Sequence, residues 1–265
     1  MSIVFAAIAP HPPLLAPSIG KENVKKLSAT ADAFKILSRD LHVAKPDTIV
    51  VISPHGPVME ERFTVGVHET YEGALQEFGD FSTRLTFRPD HGLVEHLRRA
   101  ARREGHLLHL QTEIGLDYGV TVPLLFLLSE FTSLPRVVPI YYSLRDAKTQ
   151  FSFGQVLGDT CSSVQHRIAI IASADLSHRL RTDSPAGYSP RAQEFDDAVL
   201  EAVRHKNAVS LINMESGLVK EVEACGYRSI LILLGSLHGM NYEPKILSYE
   251  APFGVGYLVA HMMLA

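Results

Sequence analysis

Residues 47–56 read Asp-Thr-Ile-Val-Val-Ile-Ser-Pro-His-Gly. Four successive β-branched residues, Ile49 to Ile52, favour extended backbone, because two heavy atoms on Cβ stiffen χ1 and pack well on a pleated surface. Pro46 and Pro54 bound the run; without an N–H, proline cannot continue a strand ladder. No polar residue alternates with the apolar ones, so both faces are expected to be buried, as in a parallel sheet covered by helices. His55 stands two residues beyond the strand's last residue, Ser53.

Two other segments share this grammar. Ile3–Ala9 is followed by Pro10-His11-Pro12-Pro13, and Ile168–Ser173 by Ala174-Asp175-Leu176-Ser177-His178. Around them, strand and helix patterns alternate. Helical spacing of apolar residues is read over 21–43, 90–104, 121–131, 151–164, 190–205 and 217–237, the last with a break near Gly226. Further strands are read at 63–68, 82–88, 137–142, 245–250 and 254–262. The alternation predicts an α/β fold: one domain over 1–265, with a central mostly parallel or mixed sheet and helices on both faces.

Composition narrows the function classes. With 25 basic and 29 acidic residues the chain has a net charge of −4, which is not a nucleic-acid-binding footprint. The arginines at 98, 99, 102 and 103 read as the solvated face of one helix. No apolar run approaches the roughly 18 residues of a membrane span, and the apolar N-terminus reads as a first strand, not a leader. Two cysteines, Cys161 and Cys225, imply no disulfide framework and suit a reducing cytoplasm. There is no glycine-rich phosphate loop and no nucleophile elbow.

In open α/β sheets ligands bind beyond the carboxyl ends of the strands. Three parallel strands would therefore deliver His11, His55 and His178 to one crevice. Neutral imidazole is the commonest metal ligand, and two with a carboxylate or thiolate suit iron(II), zinc or copper. Asp175, three residues before His178, can orient that imidazole or accept a proton, or simply cap a turn.

The ordered set APHPPLL (9–15), SPHGP (53–57), FGDF (78–81), LDYGVTVPL (116–124), SADLSH (173–178) and ACGYRSILILLGSL (224–237) resembles the class III, LigB-type extradiol dioxygenase superfamily, especially the bacterial branch near the Memo proteins. The resemblance spans residue 1 to about residue 260. It implies one non-haem metal, typically iron(II), with His11 and His55 as ligands and His178 as acid/base catalyst. Ring-cleaving members open a catechol beside its hydroxylated carbons, so the expected partners are a small aromatic and O2. Relatives are commonly oligomeric, which implies a homo-oligomer.

Two positions depart from the ring-cleaving pattern. The third ligand there is a glutamate, which would fall at Gly226; Cys225 sits where Memo-like proteins carry a cysteine, and Glu223 is the nearest conventional carboxylate. Either can instead be structural, Cys225 as a small buried hydrophobe and Glu223 as a solvated residue. Where the family often has Asp-His-Gly, this chain has Asp117-Tyr118-Gly119. Asp117 and Tyr118 are expected at the substrate, but a phenol is not a base at neutral pH. Three functions follow: an extradiol-type dioxygenase for a catechol or aminophenol, a Memo-like metal protein without ring cleavage, and a metal-assisted hydrolase. A carboxylate third ligand favours the first and a thiolate the second.

Overall fold

The computed structural model describes residues 2–113 and 115–265. Its strands are β1 (Ile3–Ala9), β2 (Thr48–Ser53), β3 (Phe63–Gly66), β4 (Tyr71–Leu75), β5 (Asp80–Phe87), β6 (Leu108–Gln111), β7 (Gly115–Leu116), β8 (Arg136–Tyr141), β9 (Ile168–Ser173), β10 (Tyr242–Glu250) and β11 (Tyr257–Leu264). The helices are α1 (Pro17–Gly20), α2 (Ser28–Ala44), α3 (His91–Arg103), α4 (Tyr118–Leu127), α5 (Ala147–Ser163), α6 (Ala192–Arg204), α7 (Ala208–Ile212), α8 (Ser216–Glu221) and α9 (Tyr227–Ser236). None is long and apolar enough to cross a membrane.

The main sheet has the order β10-β11-β1-β9-β2-β8-β3-β6. Its centre, β1-β9-β2-β8, is parallel throughout, and antiparallel pairs flank it at β1/β11, β10/β11 and β3/β8. The apolar runs are buried on both faces, and their two-residue period sorts them into two layers. Ile49 and Val51 join the cluster holding Phe34, Leu37 and Leu41 of α2 and Val120 and Leu124 of α4. Val50 and Ile52 join the opposite cluster, with Phe153 and Leu157 of α5 and Ile230 and Leu231 of α9. The expected α/β fold with both faces covered is therefore present. A second sheet, β5-β4-β7, adds Tyr71, Phe87 and Leu116 to the α2/α4 layer.

Several boundaries differ from the sequence reading, each for a local reason. The helix expected at 121–131 begins at Tyr118, because the Asp117 carbonyl accepts the N–H groups of Val120 and Thr121. The helix expected at 151–164 begins at Ala147, where the Asp146 side chain caps Thr149 N. Residues 21–27 form a 3-10 segment ahead of α2. The break near Gly226 separates α8 from α9. Short α1, β4, β6, β7 and α7 were not expected; at two to five residues each they are too short for a periodic signal.

Two packing features hold the strand ends in place. At Gly226 an added Cβ would lie 2.5 Å from the Ala174 Cβ and 2.7 Å from the Asp175 carbonyl oxygen, so only glycine lets α9 start against the end of β9. Asp196 of α6 is buried; it accepts the Ser177 N–H at 2.9 Å and the Tyr249 hydroxyl at 2.6 Å, tying the segment after β9 to α6 and β10.

Gly226→Ala should lower stability by about 1–3 kcal/mol, the usual range for overpacking against backbone that cannot move away. Gly92→Ala, whose Cβ would meet nothing closer than 3.5 Å in α3, should leave the urea midpoint unchanged or raise it. Burial raises the Asp196 pKa from 3.8 to about 7, outweighing its two hydrogen bonds. The folded state thus holds a proton that the unfolded chain loses, so this group's contribution is complete below pH 3.8 and fades as pH rises to about 7. Unfolding of Asp196→Asn measured across that window should gain on the wild type as pH rises; parallel curves would contradict the assignment.

Candidate metal centre

In the main sheet β9 lies between β1 and β2. The residues just past β1 and β2 therefore meet over the end of β9. His11 Nε2 and His55 Nε2 are 3.0 Å apart, and Cys225 Sγ is 3.4 Å from His11 Nε2. One ligand atom from each of these three residues lies within 4.8 Å of the others. The sheet edge brings two of them together; the third arrives on the turn that Gly226 allows. His11 is buried, and His55 and Cys225 are half-buried.

Hydrogen-bond partners decide which ring nitrogen is free. Pro123 lies inside α4 and has no N–H, so the Gly119 carbonyl four residues back lacks its helical donor. Ser173 Oγ, at the end of β9, donates to that carbonyl instead at 2.5 Å. With its only hydrogen committed there, Ser173 Oγ must accept from His11 Nδ1, 2.7 Å away. His11 thus carries its proton on Nδ1 and turns a bare Nε2 toward His55 and Cys225. His178 Nδ1 faces the Leu176 carbonyl at 3.1 Å, an acceptor only, so its Nε2 is bare as well.

The surroundings keep these rings neutral. Burial, then the neighbouring His55 and His178, pushes the His11 pKa far below its ordinary value. Burial first and His178 second lower His55 to about 4. Burial also lowers His178, offset in part by backbone carbonyls and Glu223. Neutral imidazole is the form that ligates a metal, so the site needs no deprotonation of its histidines at neutral pH. Burial and the nearby Asp175 push the Cys225 thiol up, so without a cation the site holds the thiol. Two neutral imidazoles and a sulfur converging at one point form a coherent donor set for a transition metal.

The other expected residues are placed as follows. Asp175 does not orient His178, as the sequence suggested; its Oδ1 accepts the His11 backbone N–H at 2.9 Å, and Oδ2 lies 3.6 Å from His11 Nε2. Its peptide carbonyl accepts the Gly226 N–H, anchoring the cysteine turn. One hydrogen bond to a charged group is worth about 1.5–3 kcal/mol, less than the several kcal/mol of taking a carboxylate out of water. Burial accordingly wins, and the Asp175 pKa rises to about 7. Tyr118 stacks on His55 with centroids 4.3 Å apart, and its hydroxyl is 2.9 Å from His55 Nε2. Asp117, expected at the substrate, instead faces the protein: its Oδ1 accepts the Ser53 hydroxyl at 2.5 Å and so braces the His55 loop. Burial raises its pKa. Gly119 permits this crowding, since a Cβ there would lie 2.4 Å from Ser53 Oγ and 3.3 Å from His55 Cδ2.

Glu223 is not a ligand. Its φ of +53° closes the turn after α8 and directs the side chain outward, where it is exposed and 3.5 Å from Arg179. Residues that sequence reasoning missed are Ser53, Ser173, Pro123 and Phe78, the last packed edge-on against Tyr118 with centroids 5.1 Å apart. The two serines had a signal: each is the polar last residue of an otherwise apolar strand that precedes a histidine.

Fold and centre together define an α/β protein whose crevice at the carboxyl ends of parallel strands gathers three residues that could hold a metal ion. The family described as "Catalytic LigB subunit of aromatic ring-opening dioxygenase" matches residues 5–260, and the chain belongs to it. Protein CA_C1420 of Clostridium acetobutylicum is 29% identical over 97% of this chain, which spans only 57% of that relative's length. A MEMO1 family protein of Methanococcus vannielii is 25% identical over 83% of this chain and 70% of its own. The crystal structure of the uncharacterized protein JW3007 from Escherichia coli K12 has the same fold, with a TM-score of 0.70 at 19% identity over 98% of this chain and 99% of that one.

Ser173→Ala should weaken metal binding about 10–100-fold, the usual cost of losing the partner that orients a ligating imidazole. Competition against a chromogenic chelator measures this; an unchanged affinity would mean that the serine does not set the His11 tautomer.

Proposed function

We propose that this protein is a metal-dependent oxidoreductase of the ring-opening type, taking a catechol or aminophenol-like aromatic and O2 as substrates, with iron(II) as its metal. The observation that carries this reading is the bare Nε2 of His178 beside the neutral imidazoles of His11 and His55 at one sheet edge. His11, His55 and Cys225 are the residues that would hold the metal. Such a metal supplies Lewis acidity and electron transfer toward an electron-rich aromatic. His178, kept neutral by burial, accepts the proton of a substrate hydroxyl at Nε2 and returns it later. The buried floor under His11 excludes water from one side, and Tyr118 with Phe78 forms an aromatic wall on the other.

Cys225 favours a second reading, a thiolate-bound metal used for redox chemistry without ring cleavage. Two imidazoles and a thiolate also suit zinc or copper. Both readings are compatible with a cytoplasmic protein whose two cysteines are free, and with assembly into a homo-oligomer.

The deciding experiment is metal analysis of protein purified without oxygen, followed by catechol and then air, with O2 uptake and ring-opened product measured. His178→Ala should keep its metal and lose about 10²–10⁴ of turnover, the usual share of general acid–base catalysis. His11→Ala should lose stoichiometric metal. Stoichiometric metal with no O2 uptake on any catechol would move the assignment to the second reading.

A further inference from the structure

Tyr118 makes two contacts that pull in different directions once His55 binds a metal. Its hydroxyl lies 2.9 Å from His55 Nε2, the same nitrogen that lies 3.0 Å from His11 Nε2. Without a cation the bare His11 Nε2 takes its hydrogen from His55 Nε2, and the Tyr118 oxygen lies against that same N–H. A metal on His55 Nε2 displaces this hydrogen, and the half-buried phenol oxygen loses its partner at His55. Leaving it unpaired is unfavourable, and the side chain is poorly placed to swing aside. Its ring is stacked on His55 at an interplanar angle of 21° and pinned on the other side by the edge of Phe78. Two donors bound to one ion through bonds of about 2.0–2.1 Å stand roughly 3 Å apart. The Tyr118 oxygen already stands at that separation from a ligand nitrogen.

We propose that Tyr118 is a fourth donor to the metal of this centre, completing a His11, His55, Cys225 and Tyr118 set as a phenolate. On ligation the tyrosine O–H bond breaks, an oxygen–metal bond forms and the proton passes to solvent, with no change of oxidation state. The inference rests on the His11, His55 and Cys225 metal set above and, if it holds, shifts the choice toward the second reading, redox chemistry without ring cleavage. An anionic oxygen beside a thiolate favours the ferric over the ferrous ion and leaves fewer open positions than two histidines and one further ligand do.

The test uses the full chain carrying ring-deuterated tyrosine, loaded with iron(II) without oxygen and oxidised by one electron with ferricyanide. Resonance Raman excitation in the visible charge-transfer band should enhance phenolate ring modes that shift on deuteration. Tyr118→Phe keeps the stacked ring and should keep its iron, but lose those modes and most of the visible band, with metal affinity falling about tenfold. Stoichiometric iron with no deuterium-sensitive modes in the wild type would overturn this assignment and leave the metal reading standing, as would modes that survive in Tyr118→Phe. Failure of the wild type to bind iron at all would overturn both.

Discussion

The absence of one hydrogen atom orders much of this centre. Pro123 cannot donate to the Gly119 carbonyl, so α4 offers a buried acceptor at the level where β9 ends. Ser173 takes that acceptor and is thereby left only an oxygen lone pair for His11. A serine free to rotate would accept either tautomer of the imidazole, and a free rotor cannot hold a ring for a metal. The relay converts a defect in helix hydrogen bonding into the choice of which histidine nitrogen is bare. It also links α4, β9 and the segment after β1, three elements far apart in sequence.

The rest of the site is an exercise in crowding. Three segments have to meet at one point, and two of them do so only because a side chain is missing. Gly119 lets the start of α4 touch Ser53 and His55, and Gly226 lets the start of α9 touch Ala174 and Asp175. Crowding excludes water, and the exclusion sets the electrostatics. Imidazoles fall in pKa while the Asp175 carboxyl and Cys225 thiol rise, all chiefly from burial. A metal-free centre therefore has little net charge, and a cation entering it replaces the missing solvation for the sulfur.

Of the second sheet only β5 was legible in the sequence, as a strand over 82–88, yet this sheet shapes one wall. β4 pairs with β7, which leads straight into Asp117 and Tyr118, and the turn after β4 presents Phe78. The aromatic side of the crevice is thus built on a small sheet, while His11 and His55 emerge from the large one.

The amino-acid sequence by itself determined the parallel core and placed two imidazoles, His11 and His55, just beyond the ends of its strands. Runs such as Ile49–Ile52 and Ile168–Ala172 are too apolar to lie anywhere but inside, and the histidines that follow them must emerge at strand ends. Those are local constraints, readable residue by residue. Tertiary structure alone decided the third donor. Cys225 and Glu223 are two residues apart, and the left-handed turn at Glu223 together with the Gly226 contact on Asp175 sends the thiol inward and the carboxylate to solvent. It also decided that Asp175 serves His11 and not His178, because β1 and β9 are neighbours in the sheet and the His11 amide lies within reach of that carboxylate. Tautomer, stacking and backbone contact depend on groups brought together across 51 to 164 residues, which no local pattern encodes.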